Sequence, residues 1–368
     1  MKVLVLDNAW PATPLLIREM SRQGIDVLYF APESPAPREL GRFCRQQRSP
    51  YLSDPGYQAS LLAVLEREPF DRLLPLCDEL QRLAWNLPAR YASRVFPQVD
   101  RETRERFADR RLMYGFARGL GLAIPRALDL PDIDALPSIG RILGWPLVVR
   151  GPQGCGGSQV MIADHEAAAR TAFLRLGRHG PLFAQEFIRG DLYIAGALAE
   201  AGRVGQMFIA KVLETWPTPT GPSIRVMAVD DPTLRSLASG LFGALRAHGL
   251  IMADFIRVAD GDYRFLEVNP RPWGSIAAAE VCGAPLLDPF VRLLRGASLP
   301  PAKVYRAGRR VTLFPQFLSA RLDAGSFPRI ADLPHYGSML SSIRSLSSPL
   351  LRHHLRRLYW QWSSTRTR

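Results

Sequence analysis

Cysteine and lysine are scarce in this chain of 368 residues. The four cysteines show no paired spacing, so the sequence predicts neither a disulfide framework nor a zinc site. A reducing, cytoplasmic location is therefore expected. Three of the basic residues are lysines, namely Lys2, Lys211 and Lys303, and every other basic residue is arginine. We interpret this preference for arginine as a composition bias of the genome.

Long apolar runs are also missing. No stretch of eighteen apolar residues occurs, so no transmembrane helix is predicted. The opening MKVLVLD has an apolar run that is too short for a signal peptide and is typical of a buried strand. With 47% hydrophobic and 22% charged residues, the composition indicates a globular protein that is long enough for two or three domains.

Two glycine-rich nucleotide-binding motifs are absent. The first loop, residues 7–14, lacks G-x-G-x-x-G, so the sequence has no dinucleotide fingerprint there and a nicotinamide dehydrogenase is disfavoured. Residues 151–158 contain four glycines but lack Gly-Lys-Ser/Thr, so they are not a Walker A loop.

Positive charge is concentrated near the end of the chain. The total is +13, and residues 301–368 hold twelve Lys and Arg against two Asp, so +10 lies there and +3 in the rest. A nucleic-acid partner is therefore not expected. Within this segment Leu351, Leu355, Leu358 and Trp362 share one helical face among basic side chains. Such a helix lies on an anionic membrane surface, or it docks on its own domain or on a partner subunit of a homodimer; both alternatives remain open.

Residues 252–275, MADFIRVADGDYRFLEVNPRPWGS, contain the most informative pattern. Two apolar strands flank an Asp-Gly turn and predict a hairpin. Symmetric pairing places Asp254 opposite Glu267, and Asn269 points to the same side as Glu267. Carboxylate and amide oxygens suit Mg²⁺ or Mn²⁺, particularly when nucleotide phosphates complete the shell. The alternative is an edge hairpin with solvated acids and a polar turn.

Arg271 follows directly, between Pro270 and Pro272. A rigid turn thus holds a guanidinium beside the oxygens, and its planar fork suits phosphate or carboxylate. Asp254, then a Glu thirteen residues on and an Asn two further, in the frame LEVNPRPWGS, resemble the metal-binding end of the ATP-grasp family. The ending NPR-x-WGS is similar to the carbamoyl-phosphate-synthetase-like branch of carboxylate–amine ligases.

The resemblance covers about residues 1–300 and implies a mixed α/β and α+β fold. It comprises an N-terminal Rossmann-like pre-ATP-grasp domain, a two-lobed ATP-grasp fold and a basic C-terminal extension. The expected domains are 1–100, 101–300 and 301–368, with a small lid lobe at about 125–185 and a catalytic sheet lobe at about 186–300.

The resemblance also implies a reaction. ATP would phosphorylate a small-molecule carboxylate to an acylphosphate, an amine substrate would attack it, and ADP and phosphate would be released. The implied metal is Mg²⁺ (or Mn²⁺), as two ions held by Asp254, Glu267 and Asn269. Arg271 would stabilise the transferred phosphoryl group or the acylphosphate.

Two arginines stand where the family has phosphate-binding lysines. Arg110 follows Asp109, and Arg150 ends a predicted strand just before the glycine-rich loop, which resembles the phosphate lid. The alternatives are a charged helix face for Arg110 and a flexible hairpin for the loop. The loop residues that the resemblance assigns to the nucleotide are Gly154, Gly156, Gly157 and Ser158.

The string PLFAQEFI resembles the adenine-binding hinge. Gln185 would take the side-chain role, Glu186 and Ile188 would supply backbone groups, and Asp191 is the ribose candidate. Further along the chain, Lys211 resembles the strand lysine that contacts ATP phosphates. The remaining candidate is Arg225, which would touch the acceptor or the phosphate unless it is a solvated strand residue.

Two earlier segments bear on the site. Asp78 and Glu79 follow a predicted strand, and they either bind a ligand or cap a helix. Asp100 or Thr103 is predicted to begin one long polar helix that ends near Leu120.

Two rival functions remain from the sequence alone. The two Lys-to-Arg changes are compatible with an ATP-grasp relative that binds ATP without catalysis. The basic segment 301–368 is compatible with a protein that binds a membrane surface or nucleic acid.

Overall fold

A parallel sheet with helices on both faces forms the N-terminal part of the protein. The computed structural model describes residues 1–7, 12–32, 40–151 and 159–324. The strands are β1 (Lys2–Leu6), β2 (Asp26–Pro32), β3 (Arg45–Ser49) and β4 (Arg72–Pro75), all parallel in the order β3-β2-β1-β4. The helices are α1 (Thr13–Arg22), α2 (Tyr57–Arg67), α3 (Asp78–Trp85) and α4 (Ala89–Ala92).

The apolar run of β1 is buried on both faces. Val3 and Val5 belong to a core that includes α1, while Leu4 and Leu6 pack with residues of α2 and α3. A parallel strand covered on both faces is expected to be continuously hydrophobic. The chain runs from β1 to β2 on one side and reaches β4 on the other, so the carboxyl ends of β1 and β4 flank the crevice at which such sheets place functional residues.

The segment predicted as one long helix consists of two, α5 (Arg101–Ala108) and α6 (Arg110–Gly119). The break is at Asp109, whose backbone is extended with φ −136° and ψ 116°. The Asp109 carboxylate accepts a hydrogen bond from the Arg111 backbone N–H at 2.8 Å. A local N-cap therefore competes with helix continuation, and it makes Arg110 the first residue of α6.

A four-stranded antiparallel sheet follows, in the order β5-β8-β6-β7. Its strands are β5 (Ala127–Leu130), β6 (Leu147–Arg150), β7 (Val160–Ala163) and β8 (Leu182–Glu186). Helices α7 (Leu136–Leu143) and α8 (Glu166–Leu176) cover one face through Leu147 and Val149. The alternate residues Val148 and Arg150 point to the other face, which lines a cavity.

The largest sheet has six antiparallel strands in the order β13-β12-β9-β10-β11-β14. They are β9 (Asp191–Glu200), β10 (Arg203–Thr215), β11 (Ser223–Ala228), β12 (Gly249–Arg257), β13 (Tyr263–Asn269) and β14 (Arg310–Thr312). The helices are α9 (Pro232–Ala244), α10 (Ile276–Cys282), α11 (Leu287–Leu294) and α12 (Gln316–Asp323). Helix α9 packs on one face of the sheet, and α10 and α11 lie between the other face and α1. This arrangement confirms the predicted fold class.

The chain beyond residue 300 contributes to this sheet. Strand β14 pairs with β11 through Val311 and Val226, and Phe317 of α12 packs on Ile224. The domain boundaries expected at residues 100 and 300 stay predictions. The predicted basic helix around 351–362 lies outside the described residues. Among the described helices, none is both long and apolar enough to cross a membrane.

The turn after β13 packs against a glycine of the same sheet. Trp273 in this turn is 2% exposed, and an added Cβ at Gly196 of β9 would lie 2.2 Å from its ring. The glycine therefore lets the indole lie directly on the strand backbone. Since Arg271 lies two residues before Trp273, this contact helps to set the position of its guanidinium.

We predict that Gly196→Ala lowers the free energy of unfolding by about 1–3 kcal/mol, because the methyl group forces the Trp273 ring off the sheet. Urea denaturation monitored by circular dichroism measures this change as a lower midpoint at constant slope. The matched control is Gly240→Ala on the exposed side of α9, where an added Cβ meets nothing within 4 Å. That variant should be as stable as the wild type or more stable. Equal stability of both variants would contradict the proposed packing of the Trp273 ring on Gly196.

Candidate active site

The hairpin of β12 and β13 places two carboxylates opposite each other. In its register Asp254 pairs with Glu267, as predicted, but by a different route. The strands near the turn pair symmetrically about residue 260, and a register shift between Asp254 and Phe255 brings the two acids opposite each other. Both residues line a cavity of about 510 Å³, as does Asn269. The side-chain nitrogen of Asn269 lies 3.5 Å from Glu267 Oε1. The three side chains therefore line one volume, but the Asn269 oxygen accepts a hydrogen bond from Arg271 Nη2 at 2.9 Å.

Two arginines from other elements hold Glu267. Its Oε2 accepts hydrogen bonds from Arg110 Nε at 3.1 Å and Nη2 at 3.0 Å, and from Arg150 Nη2 at 2.9 Å. Arg110 begins α6 and Arg150 ends β6, so three parts of the chain meet at this carboxylate. Burial by itself raises the pKa of Glu267, but the charges of Arg110 and Arg150 outweigh burial and hold the pKa at about 2. Glu267 is therefore a stable anion.

Asp254 is in a different electrostatic state. Burial, followed by the negative charge of Glu267, raises the pKa of Asp254 well above its usual value. The nearby arginines act in the opposite direction but do not compensate for burial. Two facing carboxylates of which one is poorly compensated make a favourable position for a divalent cation. In the described part of the chain, no group of three or more His, Cys, Asp or Glu side chains is arranged to hold a metal. Phosphate oxygens would therefore have to complete a metal shell here.

The part of the cavity around Gln185 combines apolar walls with a buried polar side chain. Gln185 is 3% exposed, and its Oε1 accepts hydrogen bonds from Tyr114 Oη at 2.9 Å and Arg150 Nη1 at 3.4 Å. Glu186 directs its carboxylate to Arg126, at 2.7 Å from Nε. The Glu186 backbone N–H donates to the Arg126 carbonyl oxygen at 3.0 Å, so the predicted backbone role would fall to the Glu186 carbonyl group and stays a prediction. The apolar lining includes Val148, Ile162, Phe187, Ile188, Leu192 and Ile194.

Lys211 and Asp191 are not brought into this cavity. Lys211 Nζ lies 2.6 Å from Asp191 Oδ2. Their strand neighbours Leu192 and Val212 line the cavity, so alternation directs Asp191 and Lys211 to the opposite face of the sheet. The phosphate and ribose contacts expected of these two residues receive no support from their placement. The sequence resemblance located the strand positions but could not reveal which face they occupy.

Arg225 lies beside the cavity rather than in its described lining. Its Nη1 donates to Glu214 Oε2 at 3.1 Å, and Arg321 of α12 lies 3.0 Å from the other oxygen of the same carboxylate. Glu214 itself lines the cavity, together with residues 218–223. Glu214 and Arg321 were not predicted from the sequence. The role expected for Arg225 at the acceptor or the phosphate stays a prediction.

Arg271 is buried and held from two directions. Its Nε donates to both carboxylate oxygens of Asp78 at 3.1 Å, and its Nη2 donates to Asn269 Oδ1 at 2.9 Å. The two alternatives considered for Asp78 were a ligand contact and a helix cap. The cap is wrong, because Cys77 is the N-cap of α3 and makes no side-chain cap bond, whereas the ligand contact stays a prediction. Asp78 and Glu79 instead lie in the first turn of α3.

The glycine-rich loop lies mostly outside the described residues, so Gly154, Gly156, Gly157 and Ser158 stay predictions. Its first residue, Gly151, is described, and its carbonyl oxygen lies 3.4 Å from Arg110 Nη1. The loop thus starts beside the cluster formed by Arg110, Arg150 and Glu267.

A family model described as an ATP-grasp domain matches residues 108–275. The N-terminal section of the carbamoyl phosphate synthase large chain from Methanopyrus kandleri is 25% identical over 211 residues. That alignment covers 54% of this chain and 37% of the relative, so the chain matches well under half of that protein.

Solved structures share the fold at low identity. An L-amino acid ligase from Bacillus licheniformis is 18% identical with a TM-score of 0.65, covering 82% of this chain and 75% of that one. A biotin carboxylase from Campylobacter jejuni is 14% identical with a TM-score of 0.67, covering 84% and 74%. A carboxyaminoimidazole ribonucleotide synthase from Aspergillus clavatus, complexed with ATP, is 14% identical with a TM-score of 0.69, covering 84% and 80%. Residues 108–275 therefore match an ATP-grasp domain model, and the chain shares its fold with these solved structures.

Proposed function

We propose that this protein is an ATP-dependent, ADP-forming ligase that activates a small-molecule carboxylate as an acylphosphate and couples it to an amine. The observation that carries the proposal is the convergence of Asp254, Glu267, Arg110 and Arg150 on one cavity. The ligase relatives named above support the same class of reaction. The frame LEVNPRPWGS favours the carbamoyl-phosphate-synthetase-like branch.

The physical difficulty in this reaction is the approach of two anions, a carboxylate and a polyphosphate. Arg110 and Arg150 border the cavity at the point where Glu267 lies, and their guanidinium groups would bind phosphate oxygens. Arg271, held by Asn269 and Asp78, would face the transferred phosphoryl group. Preorganised cations of this kind stabilise charge as it develops, without reorganising during the reaction.

A divalent metal fits the residues present. Asp254 and Glu267 face each other across the hairpin, and the raised pKa of Asp254 reflects a carboxylate that a cation would neutralise. Mg²⁺ would be held by Asp254 and Glu267, with Asn269 beside them, and would supply Lewis-acid stabilisation of the phosphates. The expectation of two ions stays a prediction.

The other end of the cavity would receive the acceptor. Residues 218–223 line it together with Glu214, Trp273 and Ser275. A carboxylate such as Glu214 suits an ammonium group, and its two arginine neighbours suit a substrate carboxylate. We keep Arg225 as a candidate for contact with the acceptor through this cluster.

We predict that the wild type releases ADP from ATP when Mg²⁺ and a suitable carboxylate–amine pair are present, measured across pools of amino acids and other carboxylates. Asp254→Asn and Glu267→Gln should each lower this rate at least about 100-fold, because each removes a negative charge at the proposed cation site. Circular dichroism should show unchanged folds.

The matched control is Asp262→Asn, an acid on the same hairpin whose side chain is 73% exposed in the turn. It should release ADP at the wild-type rate. Full activity of either cavity variant would count against the ligase proposal. ATP binding without ADP release for any substrate pool would favour a relative that binds ATP without catalysis.

We predict that Arg150→Gln weakens ATP binding about 10- to 100-fold, since a charge-assisted contact to phosphate is lost from a buried position. Isothermal titration calorimetry with a non-hydrolysable ATP analogue measures the dissociation constant. The control Arg170→Gln removes an exposed arginine that pairs with Glu166 on α8 in the same lobe. Equal affinities of the two variants would mean that Arg150 does not bind the nucleotide.

A further inference from the structure

We infer that Asp78 is a positioning residue for the reaction: it belongs to the N-terminal parallel-sheet part and fixes the guanidinium of Arg271 in the ATP-grasp cavity. This inference rests on the proposed function and goes beyond it, because it makes the N-terminal part of the chain necessary for phosphoryl transfer. Asp78 would act through Arg271 without touching the nucleotide.

The contact has the geometry of an orienting pair. Both carboxylate oxygens of Asp78 lie 3.1 Å from Arg271 Nε, so the carboxylate straddles one N–H. The side chain of Arg271 is 5% exposed and that of Asp78 is 22% exposed. A partly buried ion pair is screened less by solvent than a surface pair, so it restricts the orientation of the guanidinium more strongly.

The other two nitrogens of the Arg271 guanidinium also have partners. Nη2 donates to Asn269 Oδ1 at 2.9 Å, and Nη1 donates to the Pro272 carbonyl oxygen at 3.3 Å. Each nitrogen of the guanidinium therefore has a hydrogen-bond partner, which restricts its rotation. Of these partners, Asp78 belongs to the N-terminal parallel-sheet part, 193 residues before Arg271 in the sequence.

A second contact fixes the same turn to α3. Gln81 is 2% exposed, and its Nε2 donates to the Pro270 carbonyl oxygen. Asp78 and Gln81 are three residues apart and hence lie on one side of α3. Helix α3 follows β4 at the carboxyl edge of the parallel sheet, next to the crevice between β1 and β4. The fold thus presents one face of α3 to residues 270–271.

Asp78 is outside the described lining of the cavity, whereas Arg271 is part of it. A positioning role therefore predicts a loss of kcat with little change in the KM for ATP. A role limited to joining two parts of the fold predicts lower stability with an unchanged kcat. These two outcomes separate the alternatives.

The experiment compares Asp78→Ala and Asp78→Asn with the wild type, by steady-state ADP release and by urea denaturation. Asp78→Ala should lower kcat about 100-fold, the effect expected when a reacting group is misplaced by about 1 Å. Asp78→Asn keeps an acceptor oxygen but loses the charge, so it should lower kcat about 10-fold. Because Asn has nearly the same shape as Asp, Asp78→Asn still tests the inference if Asp78→Ala fails to fold.

The matched control is Glu66→Gln. Glu66 is an acid of α2 in the same N-terminal part, and its side chain is 61% exposed. It should keep the wild-type kcat. The decisive variant is Asp78→Ala combined with Arg271→Ala, which should be no slower than Arg271→Ala alone, because residues acting as a unit do not contribute additively.

A further loss in the double variant, or a wild-type kcat in both Asp78 variants, would overturn the inference. Full turnover by Arg271→Ala alone would overturn it as well, while leaving ligase activity in place. A wild type that never releases ADP would overturn the proposed function itself, so the two failures are distinguishable.

Discussion

Two carboxylates that face each other across one hairpin impose the main constraint on this structure. Asp254 and Glu267 are placed together by the register of β12 and β13, and burial makes their mutual repulsion costly. Two arginines from other elements compensate the negative charge of Glu267. Arg110 begins α6 and Arg150 ends β6, and both donate hydrogen bonds to one oxygen of Glu267. The positions of the smaller sheet and of α6 are thus tied to the charge on a single side chain.

The same region joins the N-terminal part to the rest of the chain. The turn that follows β13 carries Arg271 and Trp273; the arginine pairs with Asp78, and the indole rests on Gly196. One face of this turn is therefore fixed by an ion pair and the other by a close backbone contact. Rigid support of this kind favours a site whose charged groups are oriented before a ligand arrives.

Some features of the site follow from local sequence alone, because they depend on neighbours along the chain. The Asp-Gly turn and strand alternation indicate the hairpin, whereas the register shift between Asp254 and Phe255 that brings Asp254 opposite Glu267 is seen only in the structure. Other features involve side chains that are far apart in sequence. The partner of Asp78 is 193 residues away, so turn and capping preferences offered only a ligand contact or a cap as explanations. For Lys211 the strand was predicted from the sequence, but its ion pair with Asp191 on the sheet face opposite the cavity was not.

The sequence by itself determined the family resemblance, the mixed sheet architecture and the acid-bearing hairpin, because turn type, periodicity and short motifs act over a few residues. Tertiary structure alone decided which cations surround Glu267, which acid holds Arg271 and which strand face meets the cavity. Those contacts depend on how separate sheets pack against each other. The physical reason is that charge compensation at a buried site acts through space, so it is set by packing and not by position along the chain.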